Sequence, residues 1–291
     1  MMFPPDHYVD AVVYVGPISI WLQEGTFSRD VISSLYLFRV ILINSLIKKM
    51  TRGEPTDEKL VQDYTSKWYA KRYSGSGFLY HSRIVTDMLE GVKFRDGRYS
   101  DKILDCGCGT GLVSQLYPNF DITGIDISDG MLAQNPYTWI KADARSIPFA
   151  SDTFDFVVCR SLLHHLEEPR LGLKEMFRVL KKGGKWACYD PNHNILYELI
   201  RHIFQHTDRF SHLHKSFNAN ELFDMIEEAG FEITEKKYLG YFAYPCLGFP
   251  DIIDFHIPIS LGRMLIRLDD WISKTPFKKL SWSLMVKGVK P

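Results

Sequence analysis

From about residue 98 the chain alternates short apolar runs with amphipathic stretches. Residues 102–106, 121–126, 138–142, 154–159 and 185–190 are of strand length, while 112–117, 128–134 and 169–181 repeat their apolar positions at helical spacing. Such alternation predicts a Rossmann-like α/β fold, a mainly parallel sheet with helices on both faces. Beyond Asp190 the pattern predicts a helix over 194–208, a helix over 220–229 closed by Gly230, and a strand over 232–241. Residues 281–289 alternate like a final edge strand, which brings the sheet to seven strands.

Upstream, 57–73 reads as a helix carrying Tyr64, Trp68, Tyr69 and Tyr73, and Ser-Gly-Ser-Gly separates it from a second helix over 78–89. Residues 1–55 read as an N-terminal helical extension: a proline-rich start, an apolar patch over 11–22, and a helical run over 31–49 stopped by Lys48, Lys49 and Gly53. The main domain is then 56–291, with a core at 98–192 and a substrate lid and C-terminal strands over 193–291. An apolar and basic insertion over 245–278 precedes the last strand. There is no internal repeat and no low-complexity tract.

With 291 residues, 45% of them hydrophobic, the chain can bury one large core. Its 35 Lys and Arg balance 35 Asp and Glu, so no net field recruits a polyanion, and a small acceptor fits better than nucleic acid. The five cysteines, an odd and sparse set, suit a reducing, cytoplasmic setting. Cys106 and Cys108 lack a second pair at zinc spacing and read as small loop residues. The run 31–47 is as long as a short membrane span but carries Arg39 and Asn44, and reads as a packed or amphipathic helix. The N-terminus lacks the basic and apolar pattern of a signal peptide. His202 and His206, four apart, with His212 and His214 nearby, read as a histidine-rich lid, and no metal is expected.

The chemistry gathers where the apolar runs end, which is where α/β sheets bind ligands. The first run leads into Asp105-Cys106-Gly107-Cys108-Gly109-Thr110-Gly111. Glycines at alternate positions allow a sharp bend and close backbone approach, although many loops need glycine only for the turn. The spacing G-x-G-x-G differs from the dinucleotide fingerprint, and Asp105 would repel a pyrophosphate while suiting a cationic amino-acid group. Asp126 closes the second run, where it would meet ribose hydroxyls; alternatively, Asp126 or Ser128 caps the helix that contains Met131. Ile127 would offer a flat apolar contact to a base. Asp143 would accept from an exocyclic amine, or be a solvated turn residue.

Taken together, ILDCGCGTG (103–111), GIDIS (124–128), ADARSIPF (142–149), DTFDFVVCRSLLHHL (152–166), RVLKKGG (178–184) and WACYDPN (186–192) resemble the core of the class I S-adenosylmethionine-dependent methyltransferases. The similarity is to the small-molecule group that includes quinone-type and lipid-type enzymes. It implies S-adenosyl-L-methionine as cofactor, with Asp105, Gly107, Gly109 and Gly111 around its methionine and sugar, Asp126 on the ribose, and Ile127, Asp143 and Ala144 around adenine. Cys108 and Met131 complete that lining. Arg160 matches a position that meets the cofactor through its backbone, and Tyr73 resembles an aromatic contributed by an N-terminal helix.

The candidate catalytic positions are His165, Asp190 and His193. A histidine near neutral pH can deprotonate an acceptor, yet methyl transfer to a good nucleophile often needs only alignment, so one histidine packed and one lining the pocket is the simpler reading of His164-His165. Asp190-Pro191-Asn192-His193, after the fifth run, is placed for acceptor contacts, with turn formation as the competing role. Arg160-Ser161-Leu162-Leu163 stands where amino-group methylating enzymes of DNA carry Asn/Asp-Pro-Pro-Tyr. The expected function is methyl transfer to a small, lipophilic acceptor. Its alternatives are a silent S-adenosylmethionine-binding scaffold and a nicotinamide oxidoreductase, against which the glycine spacing argues. The insertion, with Phe249, Ile252, Met264 and Trp271 beside Arg263, Arg267 and Lys274, leaves three roles open: peripheral membrane contact, ordinary core or a homodimer contact.

Overall fold

The computed structural model describes residues 13–15, 18–20, 73–95, 98–99, 101–194, 217–248 and 257–291. The chain divides into two compact units, 1–48 and 49–291. The described residues of the first unit are strands β1 (Val13–Val15) and β2 (Ile18–Ile20), antiparallel with Val15 opposite Ile18. The apolar patch over 11–22, to which the sequence reading gave no element, thus holds a strand pair, in keeping with its β-branched residues on either side of a Gly-Pro pair. The expected helix over 31–49 lies outside the described residues, as do those over 57–73 and 194–208 apart from Tyr73 and Asn194.

The second unit begins with α1 (Gly75–Met88) and a short hairpin of β3 (Phe94–Arg95) and β4 (Arg98–Tyr99). There follow β5 (Lys102–Cys106), α2 (Leu112–Leu116), β6 (Asp121–Asp126), α3 (Asp129–Leu132), β7 (Trp139–Lys141) and β8 (Phe154–Arg160). The chain continues through α4 (Pro169–Val179), β9 (Leu180–Pro191), α5 (Ala219–Glu228), β10 (Glu232–Leu239), α6 (Ile259–Ile272) and β11 (Ser283–Val289). Seven strands form one sheet in the order β10-β11-β9-β8-β5-β6-β7. The pairs from β9 across to β7 are parallel, and β11 runs against both of its neighbours.

Two cores cover the two faces, and the strands feed them alternately. Leu104, Val157, Trp186, Leu284 and Val286 meet Leu173 and Met176 of α4 and Leu222 and Ile226 of α5 on one face. On the other, Ile103, Phe156, Val158, Tyr189 and Met285 pack against Ile84 and Met88 of α1 and Leu112 and Val113 of α2. Each such side chain, fully buried, contributes roughly 1.5–3 kcal/mol. The hydroxyls of Tyr80 on α1 and Tyr189 on β9 meet at 3.0 Å, and Tyr189 donates to Ser283 Oγ at 2.9 Å, so α1 is registered on the sheet by a buried chain of hydrogen bonds.

Two boundaries differ from the sequence reading. β11 is interior, between β9 and β10, and not an edge strand; period-two alternation tells which face a side chain takes but carries no information about what pairs with the backbone. α4 ends at Val179 and β9 already starts at Leu180, because Phe154 pairs with Leu180 before the register shifts; the polar Lys181-Lys182-Gly183-Gly184 hid that pairing. The α5 expectation holds: Asn218 and Glu221 form a reciprocal capping box, and Gly230 at φ 103° follows the last turn.

Gly124, within β6, leaves room for the loop after β5: a Cβ there would lie 2.6 Å from Cys108 Sγ and 2.7 Å from its Cβ. Gly124→Ala should therefore lower stability by about 1–3 kcal/mol, the range for overpacking a filled site. Equilibrium denaturation followed by circular dichroism checks this, and an unchanged midpoint would show that the loop yields freely.

Candidate active site

Strand β5 lies between β6 and β8, with Asp105 opposite Gly124 on one side and Val158 on the other. The loop that follows is bound back to β6: Gly107 and Cys108 donate their N–H groups to the Ile125 carbonyl at 2.8 and 3.0 Å. Gly107, Gly109 and Gly111 have φ of 72°, 50° and 85°, the left-handed region in which a side chain is strained. A Cβ on Gly111 would fall 2.5 Å from Asn135 Oδ1, whereas the space over Gly109 holds nothing nearer than Met131 Sδ at 4.0 Å. Asn135 is a clamp the sequence reading missed. Its Nδ2 donates to the Gly109 carbonyl at 3.0 Å and its Oδ1 accepts from Tyr137 N at 3.0 Å.

Asp126 ends β6 and holds the same loop from above. One carboxylate oxygen accepts from Gly109 N and the other from Ser128 N, both at 2.9 Å. Ser128 takes the helix cap, accepting from Met131 N at 3.1 Å, so Asp126 is left to the loop. Burial raises its carboxyl above the ordinary range, against the pull of these backbone donors. Ile127 is exposed beside it, while Met131, Cys108 and Ala144 are buried. The Asp143 carboxylate is gripped by Arg145, whose Nε lies 3.1 Å from both oxygens and whose Nη2 donates at 2.7 Å; this guanidinium holds the carboxyl below its usual value.

Asp105 is 2% exposed, and no hydrogen bond engages its carboxylate among the described residues. Burial pushes its carboxyl up to about 7, the Arg160 guanidinium pulls it down, and Asp126 adds a smaller upward push. Arg160, the last residue of β8, donates from Nη2 to Tyr73 Oη and lies 5.4 Å from that ring's centre. The resemblance had reserved only the Arg160 backbone; the structure also engages its side chain, with a tyrosine 87 positions away.

Beyond β8 the chain turns sharply at Ser161, a non-glycine at φ 51°, whose N–H donates to the Tyr189 carbonyl at 2.6 Å. The 3-10 turn Leu163–His165 then brings His164 to Asp190 at the end of β9. Asp190 is fully buried and accepts from His164 Nδ1 at 2.6 Å, His164 N at 3.2 Å and Leu163 N at 3.4 Å. Burial raises its carboxyl to about 7, while the His164 N–H draws it down. His164 is therefore hydrogen-bonded to Asp190. The His165 ring lies with its centre 3.9 Å from that of His164 and within electrostatic reach of both Asp126 and Asp190. His193 is tied through its backbone to Phe217 at 2.8 Å, and Asn192 Nδ2 donates to the Ser281 carbonyl at 3.0 Å.

All five cysteines are free thiols, and four are buried. Among the described residues, Asp87, Glu90 and Glu235 come together at ligand spacing, and Lys287 lies 2.7 Å from Asp87 and Glu90 and 3.0 Å from Glu235. The four histidines from 202 to 214 lie outside the described residues.

Residues 104–188, which contain Asp105, the glycine bend, Asp126, Asp143, Arg160 and the His164-His165 pair, match the methyltransferase-domain family. A ubiquinone/menaquinone biosynthesis C-methyltransferase of Desulfotalea psychrophila is 30% identical over 169 residues, 47% of this chain and 69% of that protein. The chain belongs to the S-adenosylmethionine-dependent methyltransferases. A biotin biosynthesis bifunctional protein of Teredinibacter turnerae is 27% identical over 254 residues, and this chain spans 42% of its length. A solved SAM-dependent methyltransferase of Thermotoga maritima shares the fold, with a TM-score of 0.56 at 18% identity over 80% of this chain and 100% of that one.

The cofactor of this methyltransferase is S-adenosylmethionine, and the rim fits it. A buried carboxylate without a hydrogen bond is costly; among the described residues Asp105 has only the field of Arg160 to offset its burial beside the glycine bend, so a cationic group of the cofactor suits it. The nicotinamide reading falls with the family.

Keeping Asp105 ready has a cost to the fold. Its folded-state pKa, about 7, exceeds the ordinary 3.8, so the protonated acid stabilises the ligand-free protein below pH 3.8, and that stabilisation is lost as pH rises through 7. Asp105→Asn should flatten this fall and raise stability at pH 8 by up to about 4 kcal/mol, the shift converted at 1.36 kcal/mol per unit. Denaturation midpoints across pH 4 to 8 check it; parallel profiles for the two proteins would refute it.

Proposed function

We propose that this methyltransferase transfers the methyl group of S-adenosylmethionine to a small, lipophilic acceptor of the quinone type. The observation that carries the transfer reading is the buried carboxylate of Asp105, without a hydrogen bond among the described residues, beside a glycine bend held by Asp126. In this reading Asp105 and the bend Gly107–Gly111, with Cys108 and Met131, hold the methionine end. Asp126 takes the ribose, and Ile127, Asp143 and Ala144 flank the adenine. Tyr73 and Arg160 close the side towards α1.

Bound there, the cofactor supplies a methyl group activated by a positively charged sulfur. The chain's own part is to hold both reactants in line and keep water out, which can account for most of the barrier reduction in a displacement of this kind. The His164–Asp190 pair fixes the turn at the mouth, and His165 takes a departing acceptor proton where the acceptor has one to lose. His193 sits on the same rim for acceptor contact.

Two observations support the lipophilic acceptor. The segment between β10 and β11 leaves and rejoins the sheet at the carboxyl end of β9, since Leu239 pairs with Ser283 and Ser283 with Pro191, and its apolar Leu247, Ile257 and Ile266 pack into the core on the α1 face beside that end. In addition, a relative covered over two thirds of its length acts, by its name, in ubiquinone and menaquinone synthesis.

Calorimetry should show S-adenosylmethionine binding to the free protein and its loss in Asp126→Ala; unchanged affinity in the mutant would refute the site assignment. Incubation with a panel of prenylated quinols and hydrophilic amines, read by mass spectrometry, should add one methyl group to a quinol. Methylation of the amines alone would overturn the acceptor class, and tight binding without S-adenosylhomocysteine would leave a scaffold.

Kinetics separate alignment from proton transfer. If alignment dominates, His165→Ala lowers kcat less than about tenfold, while Asp190→Asn, which disturbs the turn, lowers it about 100-fold. A loss of about 100-fold or more in His165→Ala would instead make that histidine an essential general base.

A further inference from the structure

We propose that the outward face of α6, with the 3-10 turn Pro276–Leu280 that follows it, seats this protein on an anionic lipid surface. The inference goes beyond the transfer reaction and does not depend on it.

The inward face of α6 is fixed by its contacts. Gly262 lies so near α1 that a Cβ on it would sit 3.2 Å from Ser76 Cβ, and Ile266 is buried in the core on that face. Asp269 accepts the N–H groups of Phe242 at 2.8 Å and Ala243 at 3.0 Å, and Asp270 is paired with Arg83 at 2.6 Å. The opposite face is thereby turned to solvent, and it is apolar. Met264, Leu268 and Trp271 recur at helical spacing, and the turn adds Phe277 and Leu280; Met264 is 56% exposed, and Trp271 and Phe277 are each 66% exposed. A cluster of this kind, on one element, marks a contact surface.

Charge identifies what covers it. Arg263, Arg267, Lys274, Lys278 and Lys279 are exposed on the same segment, whereas Asp269 is buried and Asp270 already paired. Basic groups among large apolar and aromatic side chains match a negatively charged bilayer surface: the aromatics sit at headgroup depth and the bases meet the phosphates. A second copy of the same face would set these positive charges against themselves, which disfavours a symmetric dimer here. Among the described residues no helix is long and apolar enough to cross a membrane, so α6 would lie along the surface. The turn leads directly to Ser281, whose carbonyl accepts from Asn192 and Asn194 Nδ2, so the lipid would lie beside the rim of the cradle.

The test is co-sedimentation of the full chain with phosphatidylglycerol-rich vesicles, against vesicles of phosphatidylcholine alone. The wild type should pellet with the anionic vesicles, less so in high salt, and the double variant Met264→Asp, Trp271→Asp should cut partition at least tenfold. Its thermal midpoint should stay at the wild-type value, which shows that the fold is intact whether or not a methyl acceptor is ever found. The charge variant Lys278→Glu, Lys279→Glu should weaken binding in the same sense. Equal pelleting of the wild type and the double variant, or no pelleting with anionic vesicles, overturns the proposal. So does a dimer, seen in analytical ultracentrifugation, that the double variant dissociates.

Discussion

The parallel register of β5 between β6 and β8 is the constraint on which the site depends. Because the three strands point the same way, Asp105, Asp126 and Arg160 reach one rim from positions spread over 55 residues of chain. Their arrangement is then completed by backbone bonds more than by side chains: the Ile125 carbonyl holds the start of the glycine bend and Asp126 holds its middle. Any slip of β6 by one residue would turn Ile125 into the site and Asp126 away from it, since side-chain direction alternates along a strand.

Two buried acids bear on this rim, and they are handled differently. Asp190 is satisfied within the chain, by His164 and two backbone N–H groups, and acts on the shape of the mouth. Asp105 has no such hydrogen bond among the described residues and has only the field of Arg160 to offset its burial. Burying a carboxylate without a hydrogen bond costs free energy, and carboxyls raised in this way gather at functional sites. The two acids thus differ in their partners, although both carboxyls are raised to about 7 by the same cause, burial.

The segment between β10 and β11 sits at the carboxyl end of the parallel strands, where ligands of α/β sheets bind. Inserting chain between antiparallel neighbours at that end leaves the pairing of β10 with β11 intact from Leu239–Ser283 to Glu232–Val289. One side of α6 is used up in being fixed to α1 and to residues 242–243, and the side left over carries the aromatic and basic surface.

Most of the sheet was legible in the sequence because strand and helix periods are local. The runs ending at Cys106, Asp126 and Asp190 and the capping box at Asn218 are all properties of a few consecutive residues. So was the cradle, since G-x-G-x-G after a strand and a carboxylate after the next need only short words. What only the tertiary structure decided are the pairings between distant segments: β11 as an interior strand, His164 bonded to Asp190, Asn135 clamping Gly109, and the Arg160 side chain reaching Tyr73. The physical reason is the same in each case. Periodicity records which way a side chain faces, whereas the identity of its partner depends on where the chain returns, and that is set by the packing of the whole sheet.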